Sequence, residues 1–416
     1  MMAALRIITL PPTLTGADAV AFAKDGLRRG ADVVEVRTDL HAPDAVDPEA
    51  LSRVMPLLVS ERDKPLPAAW VKAAWRVDRD VERAQDMDAP AGRLLASHHA
   101  EGPLTTAEAL RRWSRPIPAD ALVKHVEPMD GPAHLDVLLE TQRQLSARFG
   151  AERVTVLGMG PVALPARAVL SRRNGLEYVA MGGAWTAAPG QRLLDDVARE
   201  HRKAKDANAP RLGILGTSIS HSRSPRIHRQ PFDRIDLAED APVEAVVDSL
   251  LPHYVGFSVT SPFKMRLARH TGSVMEAINT LVRRGSRWAA FNTDTEGASA
   301  VLERLGSQSV SVLGDGGSTQ ALRLVAGEQG VALTVVRRAE VQSPLTGDWV
   351  WTWPDRVAPP ETLRFEGARV AVIAYGAPGR RVAAEIVRRG GTPLLLGAAW
   401  FVAQARRQRQ LWETAT

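Results

Sequence analysis

Along the first 205 residues, short apolar runs alternate with stretches whose apolar positions recur every three or four residues. The runs RIITLPP, ADVVEVRTD, PLPAAWV, AAWRVDRDVE, RLLASHHAEG, ALVKHVEP, RVTVLGMGP and EYVAMGGAW predict eight strands. Between most of them lie amphipathic segments such as GADAVAFAKDGLRRG, DPEALSRVMPLLVSERDK, TTAEALRRW and AHLDVLLETQRQLSARFG, which predict helices. Strands and helices in this alternation predict a (β/α)8 barrel over residues 1–205. Only Lys72 to Ala74 separate the third and fourth runs. A crossover to a parallel strand takes about a dozen residues, so the pattern predicts either a barrel one helix short or a different division of that segment.

The polar stretch KDANAPR reads as a domain junction. Beyond it, RLGILGTSISHSRSPRIH predicts a strand, a serine-rich loop and a helix entered through Pro225. GFSVT, EAINTLV and WAAFNTD predict three further strands, whose carboxyl ends would deliver Lys264, Asn279 and Asp294 to one sheet edge. SQSVSVLGDGGSTQALRLVAGEQGVALTVVRRAE predicts a strand, a glycine-rich turn, a helix and a second strand.

Composition narrows the class. With 45% hydrophobic and 24% charged residues, and no run of about 18 apolar positions, the chain is expected to be soluble and to need no membrane. MMAALRIITLPP lacks the basic and long apolar regions of a signal peptide. The absence of cysteine excludes disulfides and thiolate metal sites and fits the cytoplasm; no metal is expected. The net charge of +6 comes from scattered arginines with no basic block interleaved with aromatics, so no nucleic-acid partner is expected and an anionic small molecule is.

In a barrel the chemistry sits at the carboxyl ends of the strands. The polar residues there are Glu35 and Arg37, Ser97 and His99, and Lys124, and positions two apart share a face. A lysine inside ALVKHV is buried, and burial lowers its pKa toward a nucleophilic amine able to form an imine with a ketone. A histidine beside it could move the proton that the imine acidifies. A snorkelling lysine and a hydrogen-bonded structural histidine are the plainer alternative. Lys264 with Asp294 can hand a proton to a carbonyl oxygen, or form a surface salt bridge. Ser222 and Ser224 could hold a carboxylate, or Ser224 could simply cap a helix. Gly314, Gly316 and Gly317 let backbone approach a pyrophosphate, and Arg337 and Arg338 at the end of the next strand suit a 2′-phosphate, which favours NADP(H). Asp315 puts a negative charge in the same loop.

The first half resembles type I 3-dehydroquinate dehydratase through VEVRTD, SHH, LVKH, MGPVALPAR (159–167) and APGQ (188–191). The resemblance implies that Lys124 is the Schiff-base lysine and His99, selected over His98 by the family's serine-any-histidine pattern, the general acid/base. It also implies that Glu35, Arg37, Arg167 and Gln191 hold the substrate's carboxylate and hydroxyls. The family closes its third strand with an arginine; the matching position here reads as Val71, with Lys72 beside it. A Glu-Gly-Gly stretch is absent, and the family's serine and aspartate are Ala187 and Ala100.

From Leu212 onward the chain resembles shikimate dehydrogenase, through HSRSP (221–225), VTSPFK (259–264), EAINTL (276–281), FNTD (291–294), LGDGG (313–317), VRR (336–338), AYGAP (374–378) and LLGAAWFVAQA (395–405). This implies a catalytic pair, Lys264 and Asp294, and substrate contacts from Ser222, Ser224, Thr260, Asn279, Tyr375 and Gln404. It implies a substrate-binding domain of 211–305 with 398–416, and a Rossmann-type NADP-binding domain of 306–397. Departures are Arg229, Ser258, Ala374 and WVWTWPDRV in place of the loop that touches the nicotinamide. Together the halves imply a bifunctional enzyme converting 3-dehydroquinate through 3-dehydroshikimate to shikimate. A shikimate dehydrogenase carrying an inactive dehydratase-like domain, and a ligand-sensing regulator derived from both enzymes, are the alternatives.

Overall fold

The computed structural model describes residues 4–82, 89–183, 185–203, 211–228, 230–353 and 359–415. Residues 205–210 of the expected junction, and Arg229, lie outside them. The chain divides into two compact units, Met1–Tyr254 and Val255–Thr416.

The first unit begins with eight strands: β1 (Leu5–Thr9), β2 (Val33–Arg37), β3 (Leu57–Ser60), β4 (Arg76–Asp80), β5 (Leu94–His99), β6 (Leu122–Pro128), β7 (Val154–Met159) and β8 (Leu176–Ala180). They lie in one parallel sheet of order β7-β6-β5-β4-β3-β2-β1-β8, with a short β9 (Arg192–Leu193) added beside β8. The sheet curls until its ends meet: Gly175 N donates to Val154 O at 2.8 Å, and Leu176 N to Thr155 Oγ1 at 2.9 Å. Helices α1 (Gly16–Arg29), α2 (Pro48–Ser52), α3 (Ala68–Ala73), α4 (Thr106–Arg112), α5 (His134–Phe149), α6 (Ala163–Leu170) and α7 (Leu194–Lys203) fill the connections and the segment after β9. The expected barrel architecture is therefore present. Between β4 and β5 the described residues hold no helix, and residues 83–88 lie outside them.

One strand stands elsewhere than the pattern predicts. The third strand is LLVS at 57–60, and the run PLPAAWV instead forms α3, entered through Pro67. All four residues of β3 are buried, as in a parallel strand covered on both faces. Such a strand is a continuous apolar run without alternation, and following DPEALSRVM it merges into an apparent helical period. The helix expected to be missing before the fourth strand is thus α3, and Val71 and Lys72 are helical.

The rest of the first unit is β10 (Leu212–Gly216) paired in parallel with β11 (Phe232–Asp236), a single turn α8 (Ser224–Ile227) and α9 (Val243–Leu250). A buried ion cluster ties this segment to the barrel. Arg192 bonds Glu177 at 2.9 Å, Asp233 at 2.7 Å, and Glu200; Arg211 bonds Asp233 through Nε at 3.0 Å and also meets Glu200; Tyr254 OH donates to Asp233 at 2.6 Å.

The second unit opens with β12 (Gly256–Val259), α10 (Lys264–His270), β13 (Thr280–Arg284), which pairs antiparallel with β12, and β14 (Arg287–Phe291), which pairs antiparallel with β13, followed by α11 (Asp294–Leu305). A separate parallel sheet of order β16-β15-β17-β18-β19 follows, from β15 (Ser309–Leu313), β16 (Ala332–Val336), β17 (Asp348–Trp351), β18 (Arg369–Val372) and β19 (Thr392–Leu395). Helices α12 (Gly317–Gln329) and α13 (Gly376–Arg388) cross over between its strands. The last helix, α14 (Gly397–Glu413), packs on α11, where a Cβ on Gly297 would stand 2.6 Å from the Trp400 ring. It also reaches β13, with Trp412 Nε1 donating to Leu281 O at 3.0 Å.

Candidate active sites

In the barrel, the carboxyl ends of the strands open on a cavity of about 470 Å3. Lys124, on β6, lines it with its side chain only 3% exposed. Its Nζ meets the Asp78 carboxylate and donates to Tyr178 OH at 3.4 Å. Burial lowers the Lys124 pKa, and the neighbouring Asp78 opposes that shift only in part. Burial pushes the Asp78 carboxyl up, yet the charges of Arg62, Lys124 and His99 outweigh it and hold it well below the usual carboxylate range.

His99 lines the same cavity, and its Nδ1 lies 3.1 Å from Asp80 Oδ2. Burial and the Lys124 charge bring its pKa down to about 4 against the Asp80 hydrogen bond, so at neutral pH the imidazole is uncharged and can accept a proton. His98 points elsewhere: it is buried, stacked on His125 at 5.2 Å between ring centroids.

Glu35, Arg37, Arg167 and Gln191 also line the cavity. Glu35 accepts from Thr9 Oγ1 and Ser60 Oγ, each at 2.6 Å. Arg37 is held by Asp39 at 2.6 Å, and Gln191 Oε1 accepts from Ala187 N at 3.1 Å. Arg167 donates through Nε to Gly158 O at 2.9 Å, while its buried Nη1 has no hydrogen-bond partner among the described residues. Burial pushes this guanidinium down to about 10, so it stays charged and suited to an anion in the cavity.

The sequence reading missed several residues. The cation that closes the third strand is Arg62, two residues past β3, donating to Asp78 at 2.8 Å and lining the cavity. Its signal was a cation two residues past an apolar run, hidden by the misplaced strand. Asp78 and Asp80 could have been found by the alternation in RVDRD, which puts both on one face. Tyr178 carries no such signal, being an aromatic inside an apolar run.

In the second unit, Lys264 opens α10 and Asp294 opens α11, with Nζ and Oδ2 2.8 Å apart. Trp400 Nε1 donates to the other Asp294 oxygen at 3.4 Å. Asn279 precedes β13 rather than ending a strand. Because β13 runs antiparallel to β12 and β14, its start lies at the same edge as their ends, with Thr280 opposite both Ser258 and Phe291. Asn279 Oδ1 accepts from Thr293 N and Thr280 Oγ1, both at 2.8 Å, which fixes its amide without using the amide nitrogen. Thr260 directly follows β12 at this edge. Gln404 lies one helical turn from Trp400 and one from Gln408, on the same face of α14. Trp400 touches Asp294, and Gln408, which the sequence reading also missed, donates to Asn279 O at 3.2 Å. Tyr375 caps α13 and packs on Phe401.

Ser222 and Ser224 lie in the first unit with hydroxyls 3.4 Å apart. Ser224 is the first residue of α8 and not its cap; Ser222 Oγ accepts from Ser224 N at 3.3 Å.

Gly314 has φ +114° and packs against Thr352 and Trp353, while Cβ atoms on Gly316 and Gly317, at the start of α12, would meet open space. That backbone fits a pyrophosphate. At the end of β16, Arg337 pairs with Asp315 at 3.2 Å, and Arg338 begins a short turn beside it. Asp315 also pairs with Arg323 at 3.0 Å. The replaced nicotinamide loop runs into residues 354–357, outside those described.

Fold and geometry define a class: a parallel barrel with a buried amine, joined in one chain to a lysine–aspartate site and a glycine-loop sheet of the dinucleotide-binding kind. Similarity to known proteins makes this particular. No family model matches the chain. It is 23% identical over 348 residues to the shikimate biosynthesis protein AroDE of Chlamydia pneumoniae, covering 74% of this chain and 71% of that protein. It is 28% identical over 217 residues to a chloroplastic bifunctional 3-dehydroquinate dehydratase/shikimate dehydrogenase of Arabidopsis thaliana, covering 44% and 36%. Shikimate dehydrogenases named for NADP(+) match shorter stretches, 148 residues at 32% in one case. The alignment with the solved dehydroquinate dehydratase and shikimate dehydrogenase of S. pombe AroM covers 100% of this chain and 96% of that one at 17% identity, with a TM-score of 0.38. In sequence the chain is thus similar to bifunctional 3-dehydroquinate dehydratase/shikimate dehydrogenases.

Proposed function

We propose that the chain catalyses two consecutive reactions: dehydration of 3-dehydroquinate to 3-dehydroshikimate in the barrel, and NADPH-dependent reduction of that ketone to shikimate at the Lys264–Asp294 pair. The observation that carries the reading is Lys124, a buried amine of lowered pKa facing a cavity beside an uncharged His99. Lys124 attacks the substrate ketone to form an imine. His99, held by Asp80, takes the proton that the imine acidifies and helps expel water. Arg62, Arg167 and Arg37 supply positive charge for the carboxylate. Arg62 answers one of the observations that favoured an inactive dehydratase domain, the loss of an arginine at the third strand, while Ala100 and Ala187 remain departures.

In the second reaction Lys264 stabilises the oxygen on which negative charge grows, and Asp294 orients the ammonium. NADPH, when bound, supplies the hydride. Gly316, Gly317 and the start of α12 would hold its pyrophosphate, and Arg337 and Arg338 its 2′-phosphate. The domain limits 1–205, 211–305 with 398–416, and 306–397 belong to this proposal, as does a cytoplasmic location. Among the described residues no helix is long and apolar enough to cross a membrane.

The test is turnover of 3-dehydroquinate by the purified chain with and without NADPH. Without the cofactor, 3-dehydroshikimate should accumulate; with it, NADPH should be consumed and shikimate formed. Turnover no faster than in Lys124→Ala defeats the first assignment, and NADPH oxidation no faster than in Lys264→Ala defeats the second.

A further inference from the structure

Tyr178 places a phenol in the barrel cavity where none of the roles above requires one. Its ring lies 5.0 Å from Lys124 Nζ, and its hydroxyl 3.4 Å from the same nitrogen. A lysine nitrogen that carries its protons can only donate, so the phenol oxygen is the acceptor of this bond. The hydroxyl's own proton then has no acceptor among the described residues, while the residue lines the cavity. The phenol therefore receives from the amine on one side and is free to donate to a bound ligand on the other.

We propose that Tyr178 is a further catalytic residue of the dehydratase site, passing a proton from the Lys124 nitrogen to the substrate oxygen as the amine adds to the ketone. The proposal rests on the Schiff-base reading of Lys124. When Nζ attacks, the C–N bond forms, the C=O π electrons move onto oxygen, and the adduct carries an N–H too many and an alkoxide. The phenol donates its proton to the alkoxide as it takes one from nitrogen. Charge is neutralised within the adduct, and Tyr178 ends as the phenol it began as. A relay that never leaves a phenolate suits this position. Burial and the nearby carboxylates Glu35 and Asp78 raise the phenol's pKa well above its ordinary value, so a net loss of its proton is disfavoured. His99 is left for the later carbon proton.

Tyr178→Phe keeps the ring and removes the hydroxyl. The experiment compares the rate at which 3-dehydroquinate and borohydride label Lys124 in the wild type and the variant, read by mass, together with kcat, KM and the melting temperature. The expected result is labelling slowed tenfold or more, with kcat falling in parallel, and KM and melting temperature close to wild type. A solvent deuterium effect on wild-type labelling that is diminished in the variant is expected as well, since two protons move together. A variant labelled as fast as the wild type overturns the relay and leaves the imine reading intact. A wild type that is never labelled overturns the imine reading itself and the relay with it. A variant with a lowered melting temperature and an unchanged solvent isotope effect assigns Tyr178 to packing and overturns the relay.

Discussion

Replacing Asp78 by asparagine should make Lys124 a stronger nucleophile at low pH and the protein less stable. Asp78 has no exposed surface, and its Oδ2 is shared by Lys124, Arg62 at 2.8 Å and Ser60 at 3.4 Å. Asparagine keeps the shape and removes the charge, leaving two cations in one buried hole. At about 3 Å and an effective dielectric near 20, one ion contact is worth roughly 5 kcal/mol before desolvation is subtracted. The surviving effect of such a neighbour on a pKa is about 1 to 3 units, or roughly 1.4 to 4 kcal/mol. Arginine does not release its proton and lysine does, so the relief comes from Lys124. The acid limb of imine formation, followed as borohydride trapping rate against pH, should therefore move down by about 1 to 3 units. Unfolding free energy should fall by less than the roughly 3 to 5 kcal/mol typical of a stranded buried charge, because deprotonation removes one of the two. A trapping midpoint that stays in place or moves upward would refute the view that Asp78 holds the ammonium form.

Three further outcomes follow from named contacts. Arg192→Leu should lower unfolding free energy by about 3 to 5 kcal/mol, measured by thermal or urea denaturation, since it takes the cation from buried Glu177 and leaves Glu200 and Asp233 to share Arg211; an unchanged transition would show the cluster to be idle. His99 has a folded pKa of about 4 against an ordinary 6.5, so between those values the unfolded chain binds more protons and stability rises with pH. About 3 kcal/mol present above pH 6.5 should be lost as pH falls toward 4, and His99→Ala should flatten that slope in urea titrations at pH 5 and 7.5. Finally, Arg337→Ala should weaken NADP⁺ binding about tenfold without affecting NAD⁺, and Asp315→Ala, which releases Arg337, should strengthen it. Equal changes for both dinucleotides in a titration would exclude a 2′-phosphate role.

What was legible in the sequence was set by local pattern. Lys124 announced itself because a lysine inside ALVKHV has no exposed face to occupy, and Glu35 with Arg37 because alternation puts them on one side of β2. The glycine loop at 314–317 announced itself by lying between a strand and a helix. β3 was hidden because a strand buried on both faces loses its period, and with it went Arg62. Asn279 was assigned to a strand's end because the sequence does not say that β13 runs antiparallel to its neighbours. The Arg192–Asp233 cluster joins residues about 40 apart that no motif links, and only the folded chain brings them together.

The two lysines illustrate how depth, more than residue type, divides the chemistry. Each is paired with an aspartate. Lys124 is 3% exposed and its aspartate not at all, whereas Lys264 is 25% exposed and its aspartate 7%. In the deep site the cost of burying charge falls on the amine, which lowers its pKa and frees a lone pair for covalent attack, and an aromatic wall with a hydroxyl stands within reach of the nitrogen. In the shallower site a quarter of the lysine side chain stays exposed, and the Asp294 carboxylate aims its nitrogen. A charged ammonium held in one direction is what an oxygen gaining negative charge needs, and it forms no bond to carbon. Lys124→Arg and Lys264→Arg should therefore differ. Guanidinium cannot form the imine, so the first reaction should vanish entirely, while the second should keep a measurable fraction of its rate because a cation remains at the developing charge. Equal and complete loss of both would mean that Lys264, too, does more than present a charge.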